Sequence, residues 1–344
     1  MKRIGYIYEK IYDIENIKAA IRNAARGKKR KHYVRRILQN ADFYAAEIHK
    51  MLKAKSFTPG PNRCKTIRDG ASQKERRITV PQFYPDQIIH RAAVQVLEPL
   101  FMRGMYRYCC GSVPGRGGMA AKKYVEKVMH KKKAKYTAKL DITKFFASVS
   151  HAKLKALLAK KIKDRDALGL LGTIIDHGGE GLPIGYYTSQ WLSNFYLQEA
   201  DHYIKEELHV PYYVRYVDDM VLMGPNKRKL RRAVKELAEY FECEGFALLL
   251  KGNAQTWRSF SRPLDFVGYR FYESYVLLRK KLFYRLMRAA RIAESKGLNL
   301  PRAQRLISLA GWASHIRFDG KFAEKQVRAA KTYISKIRRK EAAA

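Results

Sequence analysis

Two largely apolar stretches of the chain run directly into acidic residues. Residues 214–217 and 220–223 flank the adjacent carboxylates Asp218 and Asp219. Apolar runs of this length that are rich in Val and Tyr are typical of buried strands, and Asp tolerates turn backbone, so the pattern predicts a tight hairpin. Alternation along residues 136–140 predicts another strand, which Asp141 ends.

Helical periodicity covers most of the remaining chain. It predicts basic helices over residues 1–60, a helix at about 85–101, a second helix opened by the Gly/Pro-rich loop 111–118, and helices at 151–162, 229–241 and from 279 to the end. A long helix is predicted to begin near residue 188, capped by Thr188 or Ser189. The remaining predicted elements are a basic hairpin tip leading into a strand at 74–81, a turn at 181–185, a strand at 246–250 and a hairpin at 263–271.

The acidic residues are candidates for metal binding. Adjacent carboxylates repel each other by about 4 kcal/mol at ~4 Å when the effective dielectric constant is about 20. A nearby cation would offset this repulsion, and Mg²⁺ prefers hard oxygen ligands such as carboxylates. A lone pair of Asp residues is equally well explained as a solvated turn. If the strand that ends at Asp141 neighbours the hairpin of Asp218 and Asp219, however, three carboxylates converge. Such a site could hold two Mg²⁺ ions about 3.5–4 Å apart, the arrangement that activates a 3′-hydroxyl and neutralises leaving pyrophosphate.

Composition points to a polyanionic partner. The 344 residues include 70 Lys and Arg against 31 Asp and Glu, a net charge of +39, and 23 Tyr and 15 Phe offer stacking surface for bases. A ribosomal-type basic protein or a membrane-surface binder would share this charge. No long basic segment carries a clean Trp/Leu face, and no apolar run reaches 18 residues, so we expect no membrane partner. The four cysteines lack zinc-ligand spacing, which indicates reduced thiols and a cytoplasmic location.

Several motifs resemble those of reverse transcriptases, in the same order, from about residue 65 to the end. They are residues 76–81, 86–91, 97–101 and 114–118, similar to the fingers of group II intron-like enzymes, 141–146 and 216–219 of the palm, 264–269 of the primer grip, and 311–315 of the thumb. The resemblance implies an α+β right-hand polymerase. It divides the chain into a basic N-terminal extension (1–60), fingers (61–135), palm (136–272, with a fingers insertion at about 150–183) and helical thumb (273–344).

One motif narrows the resemblance. Most such enzymes carry Gln-Gly-x-x-x-Ser-Pro at the start of the long palm helix, whereas this chain has IGYYTSQ at residues 184–190. That variant is similar to the reverse transcriptases of diversity-generating retroelements, which are bacterial or phage-encoded. It implies error-prone copying of a template-repeat RNA, with errors at adenines, for mutagenic retrohoming. It also implies an accessory partner, a basic oligomer called the variability determinant.

The resemblance also implies roles for individual residues. It makes Asp141, Asp218 and Asp219 the catalytic metal ligands, with Ile142 beside them. Residues matching nucleotide-binding positions are Lys74, Arg76, Arg116, Phe145, Phe146, Ile184, Gly185, Gln190 and Lys251, and those matching the primer grip are Phe266, Val267 and Gly268. Phe146 matches a steric gate that selects dNTPs. The match around Lys251 departs from the family pattern.

Ile184 has a physical consequence if it lies in the active site. A Gln there would present an amide that helps to order the incoming nucleotide, whereas Ile offers no hydrogen bond, so discrimination between nucleotides should fall. Ile184 could instead be a packing residue beside a turn. Two other functions remain open: another bacterial reverse transcriptase (group II intron-like, retron or phage-defence), and a catalytically silent RNA-binding polymerase fold.

Overall fold

The strands of the protein pair antiparallel in three sheets. The structure is a computed structural model that describes residues 3–68, 75–130, 134–243, 245–246, 248–251, 256–259, 261–316 and 320–343, the last four by backbone alone. Within these residues the strands are β1 Arg63–Arg68, β2 Glu75–Val80, β3 Tyr136–Leu140, β4 Tyr212–Tyr216, β5 Asp219–Gly224, β6 Thr256–Arg258, β7 Leu264–Phe266, β8 Tyr269–Phe271 and β9 Val276–Leu278. The sheet orders are β1-β2, β4-β5-β3-β6 and β7-β8-β9.

Helices form most of the rest of the described chain. They are α1 Tyr8–Tyr12, α2 Ile14–Ala24, α3 His32–Gln39, α4 Ala41–Lys53, α5 Ile88–Arg103, α6 Gly118–His130, α7 Phe145–Ser148, α8 His151–Lys161, α9 Arg165–His177, α10 Tyr187–Tyr196, α11 Gln198–His202, α12 Lys227–Cys243, α13 Lys280–Ser295, α14 Leu300–Ala313 and α15 Lys321–Ala343. Two short π-helical segments, Phe83–Gln87 and Tyr203–Glu207, adjoin α5 and α11.

β5 and β3 are the two inner strands of the four-stranded sheet. β5 carries a continuous apolar run because both of its faces are covered: Met220, Val221, Leu222 and Met223 are all fully buried. β3 pairs with β5 from Tyr136, opposite Gly224, to Leu140, opposite Met220. The strands that the sequence predicted at 136–140 and on either side of the acidic pair are therefore confirmed, and so is their neighbourhood in one antiparallel sheet.

The hairpin between β4 and β5 turns through Val217 and Asp218. Tyr216 pairs with Asp219, so Asp219 already belongs to β5 and only Asp218 of the acidic pair lies in the turn. Val217, and not an Asp, takes the left-handed backbone, with φ of +59°. A β-branched residue is strained there, at a cost of order 1–3 kcal/mol, and such strain persists only where the surroundings hold it.

The Gly/Pro-rich loop at 111–118 packs against this strained turn. A Cβ atom placed on Gly111 would lie 2.5 Å from both the backbone nitrogen and the Cγ2 of Val217. The carbonyl of Gly111 accepts a hydrogen bond of 2.7 Å from the Asn194 side chain in α10. Glycine is therefore required at 111 because the hairpin backbone approaches it too closely for any side chain.

The N-terminal helices share their core with the rest of the chain. Ile17 and Ile21 of α2 are fully buried in the same apolar cluster as residues of α5 and β3. Asn16 accepts a 2.9 Å hydrogen bond on its side-chain oxygen from Gln95 of α5, and the Asp164 carboxylate accepts from the backbone N–H of Ile7 at 2.7 Å. The predicted extension 1–60 is thus packed onto the following segments, and the predicted domain boundaries stay predictions.

The C-terminal helices α13, α14 and α15 form a separate apolar cluster. Its buried members include Leu286, Leu306 and Ala330, one from each helix. Trp312 of α14 joins this bundle to the β7–β8 hairpin, since a Cβ on Gly268 would lie 2.7 Å from its ring. Among the described residues, none of the helices is both long enough and apolar enough to span a membrane.

Some local predictions were wrong. Thr188 and Ser189 do not cap a helix, because α10 already begins at Tyr187 and both side chains are buried inside it. Residues 246–250 do not form the predicted strand within the described chain. Leu250 makes only an isolated bridge with Ile142, and the outer strand beside β3 is the later β6. The predicted hairpin at 263–271 is confirmed as β7 and β8.

We expect Gly111→Ala to destabilise the fold. The added methyl group would push on the backbone of Val217, and overpacking of this kind costs about 1–3 kcal/mol. Gly169→Ala is the matched control, because Gly169 lies on the exposed side of α9 with no atom within 4 Å of its added Cβ. That change should stabilise the protein by about 0.5–1 kcal/mol. Urea unfolding would measure both, and equal effects of the two changes would contradict the proposed close approach.

Candidate active site

Three carboxylates lie at one end of the four-stranded sheet. Asp141 directly follows β3, Asp218 lies in the β4–β5 turn and Asp219 begins β5. Since Leu140 pairs with Met220, the residues that adjoin this pair, Asp141 and Asp219, reach the same edge. Strand register alone therefore brings together groups that are more than seventy residues apart in sequence.

The three carboxylates are half-buried, and the charges of Asp141 and Asp219 act on Asp218. Burial, together with the negative charges of Asp141 and Asp219, raises the pKa of Asp218 to about 6. The pKa of Asp219 is also raised by burial, and the ammonium of Lys139 opposes this shift. At neutral pH the site thus holds more negative charge than its surroundings readily stabilise, which is the electrostatic condition for binding a cation.

Two lysines partly neutralise this charge. The Lys139 ammonium lies 3.2 Å from the Asp219 carboxylate and also donates to the carbonyl of Asp265 at 3.1 Å. Lys251 forms an ion pair with Asp141, and its backbone N–H donates to the Asp141 carbonyl at 2.8 Å. The sequence predicted Lys251 near the site but missed Lys139. The available signal was its place two residues before Asp141, which puts both side chains on the same face of the sheet.

The residues present fit a divalent cation. The Oδ1 atom of Asp141 is buried without a hydrogen-bond partner. Carboxylate oxygens are the ligands that Mg²⁺ prefers, and Mg²⁺ commonly uses one or two of them together with water and substrate phosphates. Among the described residues, no group of three or more Asp, Glu, His or Cys side chains is arranged so that it could hold a metal ion by itself, so water and substrate oxygens would have to complete the ligand set. Ile142, whose side chain is a buried hydrocarbon without a donor atom, could serve as a ligand only through its backbone carbonyl.

Two adjacent rings, Phe145 and Phe146, follow Asp141 in the chain on the short helix α7. Phe145 is buried in the core, whereas Phe146 is half-buried, and their centroids are 5.5 Å apart in an edge-to-face arrangement. The Phe146 carbonyl accepts a 2.6 Å hydrogen bond from the N–H of Leu182. Of the two rings, Phe146 is the one that remains available to a ligand.

The turn at Ile184 and Gly185 is held against β2. The N–H of Thr79 donates to the Ile184 carbonyl at 2.7 Å, and a Cβ on Gly185 would lie 2.2 Å from the Thr79 carbonyl. Gly185 has φ of +123°, which a side chain would also disfavour. This contact links the variant motif to the strand that carries Arg76. Gln190 is exposed on α10.

The predicted phosphate-binding residues lie in different settings. Arg76 is exposed on β2, whereas Lys74 lies outside the described residues. The Arg116 guanidinium is half-buried and donates to the carbonyls of Tyr106 at 2.6 Å and Cys109 at 3.2 Å. Arg116 therefore stabilises the loop that precedes α6 through these two hydrogen bonds. Contact between Arg116 and a nucleotide stays a prediction.

The β7–β8 hairpin connects the sheet to the C-terminal helices. Phe266 is buried, and the turn consists of Val267, with φ of +40°, and Gly268, with φ of +87°. The Gly268 carbonyl accepts from the N–H of Arg279 at 2.9 Å, and the Arg279 side chain pairs with Asp265. The hairpin predicted as a primer grip is thus anchored at the start of α13.

An antiparallel sheet that presents acidic residues at one end, between N-terminal helices and a C-terminal helical bundle, defines the class of right-hand nucleic-acid polymerases. A family model described as reverse transcriptase (RNA-dependent DNA polymerase) matches residues 67–271. The chain belongs to this reverse transcriptase family.

Individual relatives agree with the family match. The chain is 30% identical over 172 residues to an uncharacterized 91 kDa protein in the cob intron of Schizosaccharomyces pombe, covering 46% of this chain and 20% of that protein. It is 28% identical over 130 residues to the retron Ec73 reverse transcriptase of Escherichia coli, covering 32% of this chain and 41% of that protein. The chain therefore spans less than half the length of these relatives.

Solved structures share the fold. Telomerase from Candida albicans, determined with a fragment of telomeric RNA, superposes with a TM-score of 0.52 at 13% identity, covering 89% of this chain and 61% of that one. Apo telomerase from Candida tropicalis gives 0.50 at 13% identity, covering 83% and 62%. The predicted α+β polymerase fold and the reverse transcriptase family are confirmed. The narrower lineage and the individual site roles stay predictions.

We expect Asp218→Asn to stabilise the metal-free protein in a pH-dependent way. The Asp218 pKa rises from its ordinary 3.8 to about 6 on folding, so the folded state binds more protons, and stability is lost as the pH rises through this window. The change should therefore raise the melting temperature by a few degrees at about pH 7.5 in chelator and by much less near pH 4.

Asp42→Asn is the control for this experiment, because the exposed Asp42 carboxylate pairs with Lys18 at 2.7 Å. It should not raise the melting temperature. A gain for Asp218→Asn that is independent of pH would contradict the proposed crowding of the carboxylates.

Proposed function

We propose that the protein is an RNA-directed DNA polymerase, which extends a primer along an RNA template from dNTPs with two Mg²⁺ ions. The observation that carries this proposal is the convergence of Asp141, Asp218 and Asp219 at one sheet edge, within a chain of the reverse transcriptase family. The large positive charge supports it, because a template–primer duplex is a polyanion.

In this proposal the three carboxylates hold the metal ions, with the Ile142 carbonyl as a further oxygen ligand. When bound, the ions promote attack of the primer 3′-hydroxyl and neutralise the leaving pyrophosphate. A bound cation would favour the ionised form of Asp218 and so oppose the effects of burial and of the neighbouring carboxylates, which raise its pKa. Lys139 and Lys251 neutralise Asp219 and Asp141 in the metal-free state, and Lys251 then becomes available to a phosphate oxygen.

The remaining predicted residues surround the incoming nucleotide. Phe146 leaves no room for a 2′-hydroxyl. The Arg76 guanidinium and the Lys74 ammonium bind the triphosphate. The Ile184 carbonyl accepts a hydrogen bond from the backbone N–H of Thr79. Thr79 lies in β2, the strand that also carries Arg76. The proposal gives smaller roles in nucleotide binding to Phe145, Gly185, Gln190 and Arg116. It gives the primer grip to Phe266, Val267 and Gly268.

Primer extension on an RNA template tests the polymerase proposal. We expect the wild-type protein to extend a DNA primer with dNTPs and Mg²⁺, and Asp218→Ala to lower the rate by several orders of magnitude, because a metal ligand is lost. Asp42→Ala, which removes an exposed carboxylate on α4, is the matched control and should extend normally. Absence of extension by the wild type, or equal extension by Asp218→Ala, would contradict the proposal.

We further propose that the enzyme belongs to the lineage of diversity-generating retroelements. It would then copy a template-repeat RNA with errors at adenines and work with a basic accessory oligomer, the variability determinant. The variant motif at residues 184–190 supports this lineage. The match to a retron enzyme supports the alternative, another bacterial reverse transcriptase. Adenine-biased errors in sequenced products favour the first, and uniformly high fidelity favours the second.

We expect Ile184→Gln to raise fidelity. A side-chain amide at this position would order the incoming nucleotide, and we estimate about tenfold fewer substitutions opposite adenine, or about 1.4 kcal/mol of added discrimination. Ile184→Leu changes only the packing and should retain the wild-type error spectrum. Sequencing of cDNA made on one RNA template measures both, and an unchanged spectrum for Ile184→Gln would rule out this role for Ile184.

A further inference from the structure

A fully buried ion pair joins the first strand of the acidic hairpin to α11. Arg215 of β4 and Asp201 of α11 are both 0% exposed, and the guanidinium meets the carboxylate through two hydrogen bonds, Nε to Oδ1 at 2.7 Å and Nη2 to Oδ2 at 2.5 Å. The Tyr213 hydroxyl donates to the same carboxylate at 2.7 Å. A bidentate contact of this kind holds the guanidinium of Arg215 in one orientation.

The third arm of Arg215 reaches the strained turn. Its Nη1 donates to the carbonyl of Val217 at 2.9 Å and to the Asn194 side-chain oxygen at 3.0 Å. Asn194 in turn holds the Gly111 carbonyl, and Gly111 packs against the backbone of Val217. Val217, the residue with left-handed backbone, is thus held by a hydrogen bond from Arg215 and by close packing against Gly111.

We propose that Arg215 is a positioning residue for catalysis, which acts through the Val217 carbonyl to aim the Asp218 carboxylate. The hydrogen bond to the Val217 carbonyl fixes the peptide between Val217 and Asp218. The orientation of that peptide sets the direction in which the Asp218 backbone starts. Asp201 and Asn194 orient Arg215 for this task. The inference rests on the proposed polymerase function of the site.

The competing explanation is that Arg215 only stabilises the core. A core ion pair could be replaced by neutral groups without effect on chemistry, and its removal would lower stability alone. A positioning role predicts instead that the turn is misplaced in a protein that is still folded. Placement errors of about 1 Å can lower a catalytic rate by about 100-fold, so the two explanations are separable by rate and stability.

Two variants remove the contact to Val217 in different ways. Arg215→Lys keeps a charge beside Asp201, but one ammonium cannot replace a guanidinium that bonds to Asp201 and to Val217 together. The double variant Arg215→Met/Asp201→Asn removes both charges, while the amide oxygen at 201 can still accept from the Tyr213 hydroxyl. If the double variant fails to fold, Arg215→Lys decides the outcome.

The measurements are the melting temperature, kcat and KM for dNTP, and Mn²⁺ binding to the protein–template–primer complex by electron paramagnetic resonance. For Arg215→Lys we expect kcat to fall about 10- to 100-fold with KM changed less than about threefold, because ground-state nucleotide contacts are intact. We also expect weaker Mn²⁺ binding. Lys18→Met, which breaks the distant Lys18–Asp42 ion pair, should change none of these.

Wild-type kcat and Mn²⁺ affinity in a folded Arg215 variant would overturn the inference. The Mn²⁺ measurement needs no polymerisation, so it separates the two proposals. If the wild-type protein extends no primer, the polymerase function fails, whereas a difference in Mn²⁺ affinity between wild type and Arg215→Lys still supports positioning of Asp218.

Discussion

The antiparallel pairing of β3 with β5 is the constraint on which the rest of the site depends. It brings Asp141 to the end of the sheet where Asp218 and Asp219 already lie. Three carboxylates at one edge repel, and the protein offsets this through Lys139, Lys251 and a raised pKa at Asp218. The strand pairing must therefore be stable enough to hold a charge arrangement that opposes it.

That stability comes from packing on both faces of the sheet. β5 is buried on both faces. In the strained turn, the Val217 carbonyl accepts a hydrogen bond from Arg215, and Gly111 packs against the Val217 backbone. A second left-handed valine, Val267, turns the β7–β8 hairpin, which is packed against Trp312. In both places strained backbone persists because surrounding contacts over-determine it.

Sequence reasoning succeeded where the signal was local. The apolar run of β5, the alternation of β3 and the ordered motifs located the carboxylates and the family from neighbouring residues alone. It failed where the deciding contact was distant. Nothing near residues 246–250 shows that β6, and not this segment, pairs with β3. Helix α10 begins one residue before Thr188, so Thr188 lies within the helix and is buried there.

The sequence by itself determined the chemistry available to this protein: its acidic pair, its third carboxylate, its cationic surface and its family. Which groups meet was decided by the tertiary structure alone. Arg215 is an unexplained charge within an apolar strand until Asp201 and the Val217 carbonyl are placed around it. Lys139 is likewise one basic residue among many until register sets it beside Asp219. The reason is physical: a residue's type fixes what it can bond, but its partner and its pKa depend on neighbours that only folding supplies.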